Sequence, residues 1–266
     1  MTAPLVQGRS VGLREVTIFA LNASGRPAAS STTVPYEGLM VLGAKLINIS
    51  DPEPRRITHI GDDHIMQLDV LPPVEAMTGE LQTATADDTL DALLASILGF
   101  TAAGEIKGML LNTDKKGYEP QVGLLGFRQS LDTAGARVWR AILFPKAVLV
   151  PRESNLDDNP EARSYPITPM IVTKHLWGPA FAAGTEGATQ AQAVRLVSAG
   201  KPKIVAFVTD NTTTTFTLPA TKPATAVGKI AVYLNGAVST PSTVTTGAVA
   251  YATAPTTGDL DIVYEY

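Results

Sequence analysis

The sequence predicts a mainly β protein, a sandwich or barrel of short strands with one helix, followed by a smaller all-β unit. Three observations predict it. Glycine (22) and proline (19) cut the chain into short apolar pieces bounded by turn residues, the spacing expected of sandwiches and barrels. The pieces favour β-branched and aromatic side chains, which fit a pleated, half-buried surface. One segment alone repeats with the helical period.

Taken in order, Arg14 to Leu21 (REVTIFAL) reads as a strand ended by the turn Asn22-Ala-Ser-Gly25. Leu39 to Ile49 is the next, broken by Asp51-Pro-Glu-Pro54, and His64 to Leu71 follows, stopped at Pro72. Further strands are expected at Gly108 to Asn112, Gln121 to Leu131, Arg137 to Val150 and Ile167 to Trp177. Between them, Leu90, Leu93, Leu94 and Ile97 recur at i, i+3, i+4 and i+7 and predict a helix over about 86–98. Thr85 precedes Asp88 by three residues, a capping-box-like start, and Gly99 suits a left-handed stop.

From about Ser198 onward threonine becomes dense and charge thins out. Lys229 to Leu234, the hairpin turn Asn235-Gly236, Ala248 to Ala252 and Leu260 to Tyr266 read as a compact β unit. The small-residue stretch 181–200 reads as a linker, dividing the chain into a β domain over 1–180 and a C-terminal module over 201–266. Within that stretch Gln190 to Val197 is equally compatible with a strand and a helical turn.

Composition narrows the function classes. Of 266 residues 17% are charged, against about 25% in an average soluble domain, which suggests that much of the surface meets other protein. A net charge of −4 and 6% aromatics supply neither a basic grip on phosphates nor a stacking platform for bases. The lack of cysteine removes thiol catalysis, disulfide scaffolds and cysteine-ligated metal centres. No apolar run approaches the ~18 residues of a membrane-spanning helix. The start, MTAPLVQGRS, has no signal-peptide pattern, so synthesis and residence in a reducing cytoplasm is the expectation.

Candidate chemistry is sparse. His59 and His64 flank Gly61-Asp62-Asp63, with Asp69 nearby, but the spacing matches no metal-ligand pattern and reads better as a polar hairpin tip. Asp87 and Asp88 are explained by helix capping, and Asp157 and Asp158 fall in a polar loop. There is no phosphate-cradling glycine loop. Trp139 and Trp177 sit in apolar stretches and read as core. The expectation is a protein without catalytic, cofactor or metal residues, hence not an enzyme.

The C-terminal quarter resembles a β module recurrent in tailed-phage structural proteins. The matching residues are Thr212 to Pro219, Val232 to Gly236, Gly247, Ala254-Pro255, Gly258-Asp259 and Ile262 to Tyr264, with Asp210-Asn211 where the module usually has Asp-Gly. By the order of its elements, the first 180 residues resemble a phage tail tube protein (major tail protein). The resemblance implies a tail-tube-like β-sandwich or barrel with a C-terminal immunoglobulin-like domain on the tube exterior. Such subunits form hexameric rings stacked head-to-tail into a tube through which DNA passes. Other phage tail proteins (tape measure, tail terminator, distal tail) would be its partners. The expected location is the virion, after synthesis in the host cytoplasm, with no membrane insertion.

Candidate inter-subunit contacts are Leu5 and Val6 in the N-terminal arm, and Asn48, Asp51, Arg55, Arg56, Asp62 and Asp63 in the hairpin 48–64. Arg152, Asp157 and Asp158 in the loop 152–166 complete the set. The alternative is a capsid decoration, head–tail connector or glycan-binding surface protein of the virion.

Overall fold

A computed structural model describes residues 11–41, 43–50, 55–61, 64–71, 78–84, 88–95, 100–103, 106–109, 121–149, 163–170 and 193–266. The protein is mainly β, as its strand patterning predicts. The strands run β1 (Val11–Ala20), β2 (Leu39–Met40), β3 (Ala44–Ser50), β4 (Arg55–Gly61), β5 (His64–Leu71) and β6 (Thr78–Thr83). After helix α1 (Asp88–Ala95) come β7 (Phe100–Ala103), β8 (Ile106–Met109), β9 (Gln121–Leu131), β10 (Arg137–Leu149), β11 (Arg163–Pro169) and β12 (Val194–Ser198). The remainder is β13 (Pro202–Thr209), β14 (Thr215–Thr217), β15 (Ile230–Leu234), β16 (Ala237–Val238), β17 (Thr243–Val244), β18 (Ala248–Ala250) and β19 (Gly258–Glu265).

An eight-stranded sheet dominates, in the order β2-β1-β9-β10-β11-β6-β3, with β12 also on β10. The sheet curls until β3 comes alongside β1, and Ile47 of β3 lies over Gly126 of β9, where a Cβ would come within 2.5 Å of Ile47 Cδ1. Inside the curl, Val16, Ile18, Leu81, Val122, Leu124, Phe144 and Tyr165 form the main core, and Leu90 and Leu94 of α1 are fully buried against it. The leucine spacing that predicts the helix thus also identifies its buried face. Ile97 and the cap residues Thr85 and Gly99 lie outside the described residues.

Strand β10 is the hub. Along one edge it pairs with β9. Its other edge is shared, with β12 on residues 139–143 and β11 on residues 147–149. Between Phe144 and Ala147 the β9 pairing slips by one residue, a β-bulge at Pro145-Lys146. Proline cannot donate to a ladder, so a bulge is where it is tolerated.

The C-terminal module is a sandwich of a four-stranded sheet, β13-β19-β15-β16, and a three-stranded one, β14-β18-β17. Val205, Phe207, Phe216, Val232, Val249, Leu260 and Ile262 fill the space between them. Asn235 and Gly236 both have positive φ, 51° and 79°, the turn that matches the twist of flanking strands. Asn211 sits at φ 63°, so it adopts the left-handed conformation that a glycine would otherwise supply.

Three sequence expectations need correction. Residues 194–198 are not linker but strand β12 of the large sheet, paired with β10 through Trp139↔Ser198 to Leu143↔Val194. The alternation of Val194, Leu196 and Ser198 with more exposed neighbours suits the edge of a sheet. Residues 181–192 lie outside the described residues. Leu39 to Ile49 is two strands rather than one, because Gly43 turns the chain at φ 67°. Asn48 belongs to β3, opposite Glu80 of β6, rather than to the hairpin. That hairpin is β4–β5, with Gly61 paired to His64. Strand β8 covers the start of the strand expected at Gly108 to Asn112, and residues 110–112 lie outside the described residues.

Candidate functional site

The hairpin between β9 and β10 fixes the first feature. Asp132 Oδ1 accepts hydrogen bonds from the backbone N–H of Ala134 (2.9 Å) and Ala136 (2.8 Å), and Gly135 takes φ 81°. This turn pairs Leu131 with Arg137 and therefore sets Arg128 directly opposite Arg140. On the next strand Val197 pairs with Arg140, and Arg195 pairs with Ile142, one step further along the same face. All three arginines thus share the inner face of the curl, beyond the point where its apolar core ends.

There they line a groove of about 390 Å³ at the mouth of the curled sheet, facing Leu13, Ile47 and Ile49 across it, with Gly126 and Ile142 on its floor. Arg128, Arg140 and Arg195 are exposed, as is Val197 at 64%. The groove offers positive charge and aliphatic surface, and its described lining holds no carboxylate, hydroxyl, thiol or imidazole. It can bind an anion that carries apolar surface. Among the described residues that line it, none is a nucleophile or general base.

The second feature is the seam between the large sheet and the C-terminal sandwich. Phe19, Leu125, Phe127, Ala141 and Leu143 of the sheet meet Ile204, Tyr233 and Val263 of the sandwich in one continuous apolar cluster. The segment after β1 straps the two together. Tyr36 and Ala206 exchange backbone hydrogen bonds of 2.9 and 3.0 Å, and the Val208 N–H donates to Ser31 O at 3.0 Å. Lys203, 7% exposed, pairs with Glu37 at 2.7 Å. Glu15 accepts from Lys222 at 3.3 Å and from the Tyr266 hydroxyl at 3.2 Å. Lys201 lies 5.3 Å above the Trp139 ring.

A polar group is caught in this seam. Leu260, Ile262 and Tyr264 face the sandwich core, so alternation turns Asp261 toward the large sheet. It is fully buried, and neither carboxylate oxygen has a hydrogen-bond partner. Burial pushes its pKa up to about 8; Arg26 opposes the rise and Asp259 adds to it. Around it, Asn22 Nδ2 donates to Asp259 Oδ2 at 3.0 Å and Arg26 Nη1 to Asn235 Oδ1 at 3.3 Å. Burial without a hydrogen-bond partner favours the neutral, protonated carboxyl there.

Of the predicted contact residues, the structure describes Asn48, Arg55 and Arg56. Asn48 is exposed on the outermost strand β3. Arg55 and Arg56 open β4, opposite Leu71 and Val70. Leu5, Val6, Asp51, Asp62, Asp63, Arg152, Asp157 and Asp158 lie outside the described residues. His59 and His64 fall on adjacent strands, His59 opposite Gln67, and no group of metal-ligating side chains occurs among the described residues. Trp139 is part of the seam, edge-on to Phe127 at 5.6 Å, rather than deep core. The arginine groove and Asp261 escape a reading of the sequence, because both depend on which strands become neighbours.

One sequence pattern does have catalytic spacing: Gly8-Arg9-Ser10-Val11-Gly12 matches a nucleophile elbow. An elbow requires a strand before the serine and a helix after it. Here the residues after Ser10 are strand β1 itself, so the context is wrong for that chemistry. No known protein-family model matches the chain, and no curated protein sequence matches it significantly. Among the described residues no helix is long and apolar enough to cross a membrane.

Proposed function

We propose that the chain is a structural subunit that assembles with copies of itself, and specifically a tail tube protein of a tailed phage. The observation that supports this best is the state of the sheet edges. Among the described residues, the outer edge of β12 has no strand partner, β3 approaches β1 without a ladder between them, and the hairpins β4–β5 and β7–β8 form two-stranded sheets of their own. Open edges of this length invite pairing with another chain, and a ring of subunits satisfies them by design. The charge-poor composition points the same way.

In this reading hexameric rings stack head-to-tail, the large sheet lines the tube, and the C-terminal sandwich, docked on the sheet's outer face, sits on the exterior. The subunit is structural rather than catalytic and needs no cofactor. It resides in the virion, contacts the tape measure, tail terminator and distal tail proteins, and lets phage DNA pass. Negative-stain microscopy of the concentrated protein tests this: rings or tubes are expected. A species that stays monomeric at every concentration overturns it, and one that binds capsids while remaining a small oligomer points to a decoration protein instead.

A further inference from the structure

We propose that the groove lined by Arg128, Arg140 and Arg195 is a self-association surface that receives a carboxylate-bearing segment of a second copy of this chain. The proposal rests on the self-assembly reading above and adds where one contact is made and by what chemistry. Three observations carry it.

The first is the arginine pair. Arg128 and Arg140 stand directly opposite each other on adjacent strands, an arrangement that disfavours the sheet when the charges are alike. Neither makes an ion pair among the described residues. A carboxylate bridging the two guanidinium groups removes the repulsion and adds charge-assisted hydrogen bonds of the kind arginine makes best.

The second is the opposite wall. Leu13, Ile47 and Ile49 give the groove an aliphatic side, which matches a protein segment carrying both acidic and apolar side chains. A nucleic-acid backbone would leave that wall uncovered, and the groove has no aromatic platform for bases beyond Phe127, whose side chain is buried in the seam.

The third is the charge of the chain itself. Its net charge is −4, and the four basic and four acidic residues from 201 to 266 cancel, so the whole excess lies upstream. A chain that is acidic overall but sets Arg128 and Arg140 side by side at one mouth is complementary to itself. The contact joins two different surfaces, so it is head-to-tail and propagates from copy to copy.

Sedimentation velocity on the full chain, across concentration and at low and high salt, tests the proposal. The wild type is expected to associate and to weaken with salt. R128Q/R140Q is expected to raise the apparent dissociation constant by about tenfold or more, with circular dichroism and melting temperature preserved. Arg137→Gln, an exposed arginine at the hairpin end outside the groove, is expected to associate like the wild type. Wild type and R128Q/R140Q associating equally overturns the groove proposal and leaves self-assembly standing. A wild type that is monomeric throughout overturns both. A short DNA duplex that binds wild type but not R128Q/R140Q, with association unchanged, overturns the proposal in favour of a nucleic-acid contact.

Discussion

On one face of the β9–β10 pair, Leu125, Phe127, Ala141 and Leu143 are sealed beneath the C-terminal sandwich. On the other face, one residue along, Arg128 and Arg140 stand in an open mouth. The same two strands therefore present a finished interface and an unfinished one. The difference teaches what each kind of surface requires. The covered face is apolar and tied at its margins by Lys203–Glu37 and by the Glu15 contacts. The open face keeps charges where a core would have leucines, with two like charges set opposite each other.

Four substitutions probe that contrast. Phe127→Ala should have the largest effect, about 3–5 kcal/mol of destabilisation in urea titrations, because it empties the centre of the seam. If the loss were instead below about 1 kcal/mol, the sandwich would not depend on this face.

Asp261 should come next. The folded state holds its proton up to about pH 8, whereas the unfolded chain releases it near the ordinary carboxyl value of about 3.9. Its contribution to stability is therefore complete below about pH 4. It declines as pH rises and is gone by about pH 8, after which it stays flat. Asp261→Asn should raise stability at pH 8 by on the order of a few kcal/mol and flatten this slope. A variant that keeps the slope would show that another group causes it.

Glu37→Gln leaves the Lys203 ammonium buried without its counter-ion, and is expected to cost about 1–2 kcal/mol, less than a fully buried pair because Glu37 is partly in water. An unchanged melting temperature would mean that water replaces the carboxylate. The smallest effect falls on the open face. Arg140→Thr should stabilise the monomer by about 0.2–1 kcal/mol, since it removes one of two like charges set opposite each other. A loss of stability there would mean the arginine stem packs against the groove wall.

The two faces were not equally legible from the sequence. Strands β1, β9, β10, β15 and β19 announce themselves through β-branched runs and turn residues, and the buried leucines of α1 follow from their spacing alone. These are local properties. The strand at Val194–Ser198 is less obvious because alanine- and glycine-rich neighbours surround it, and its partner β10 lies some fifty residues away. Asp261 looks like a solvent-facing residue in an alternating strand, and only the docking of the sandwich on the large sheet buries it. The arginine groove likewise has no sequence motif. Arg128 and Arg140 become neighbours through a hairpin, and Arg195 joins them through a long-range pairing. Alternation shows which side chains share a face, but only tertiary contacts decide what covers that face.

The bulge at Pro145-Lys146 has a consequence for how this chain can change. Before it, the even-numbered residues Ile142 and Phe144 point into the curl; after it, the odd-numbered Ala147 and Leu149 do. Strand β10 is thus written in two phases, spliced by one extra residue. Deleting Lys146 would merge the phases and turn either Ala147 and Leu149 or Ile142 and Phe144 out of the core. Exchanges of side chain along β10 are open to selection, whereas a change of even one residue in its length is closed. Drift in this strand should therefore proceed by substitution alone.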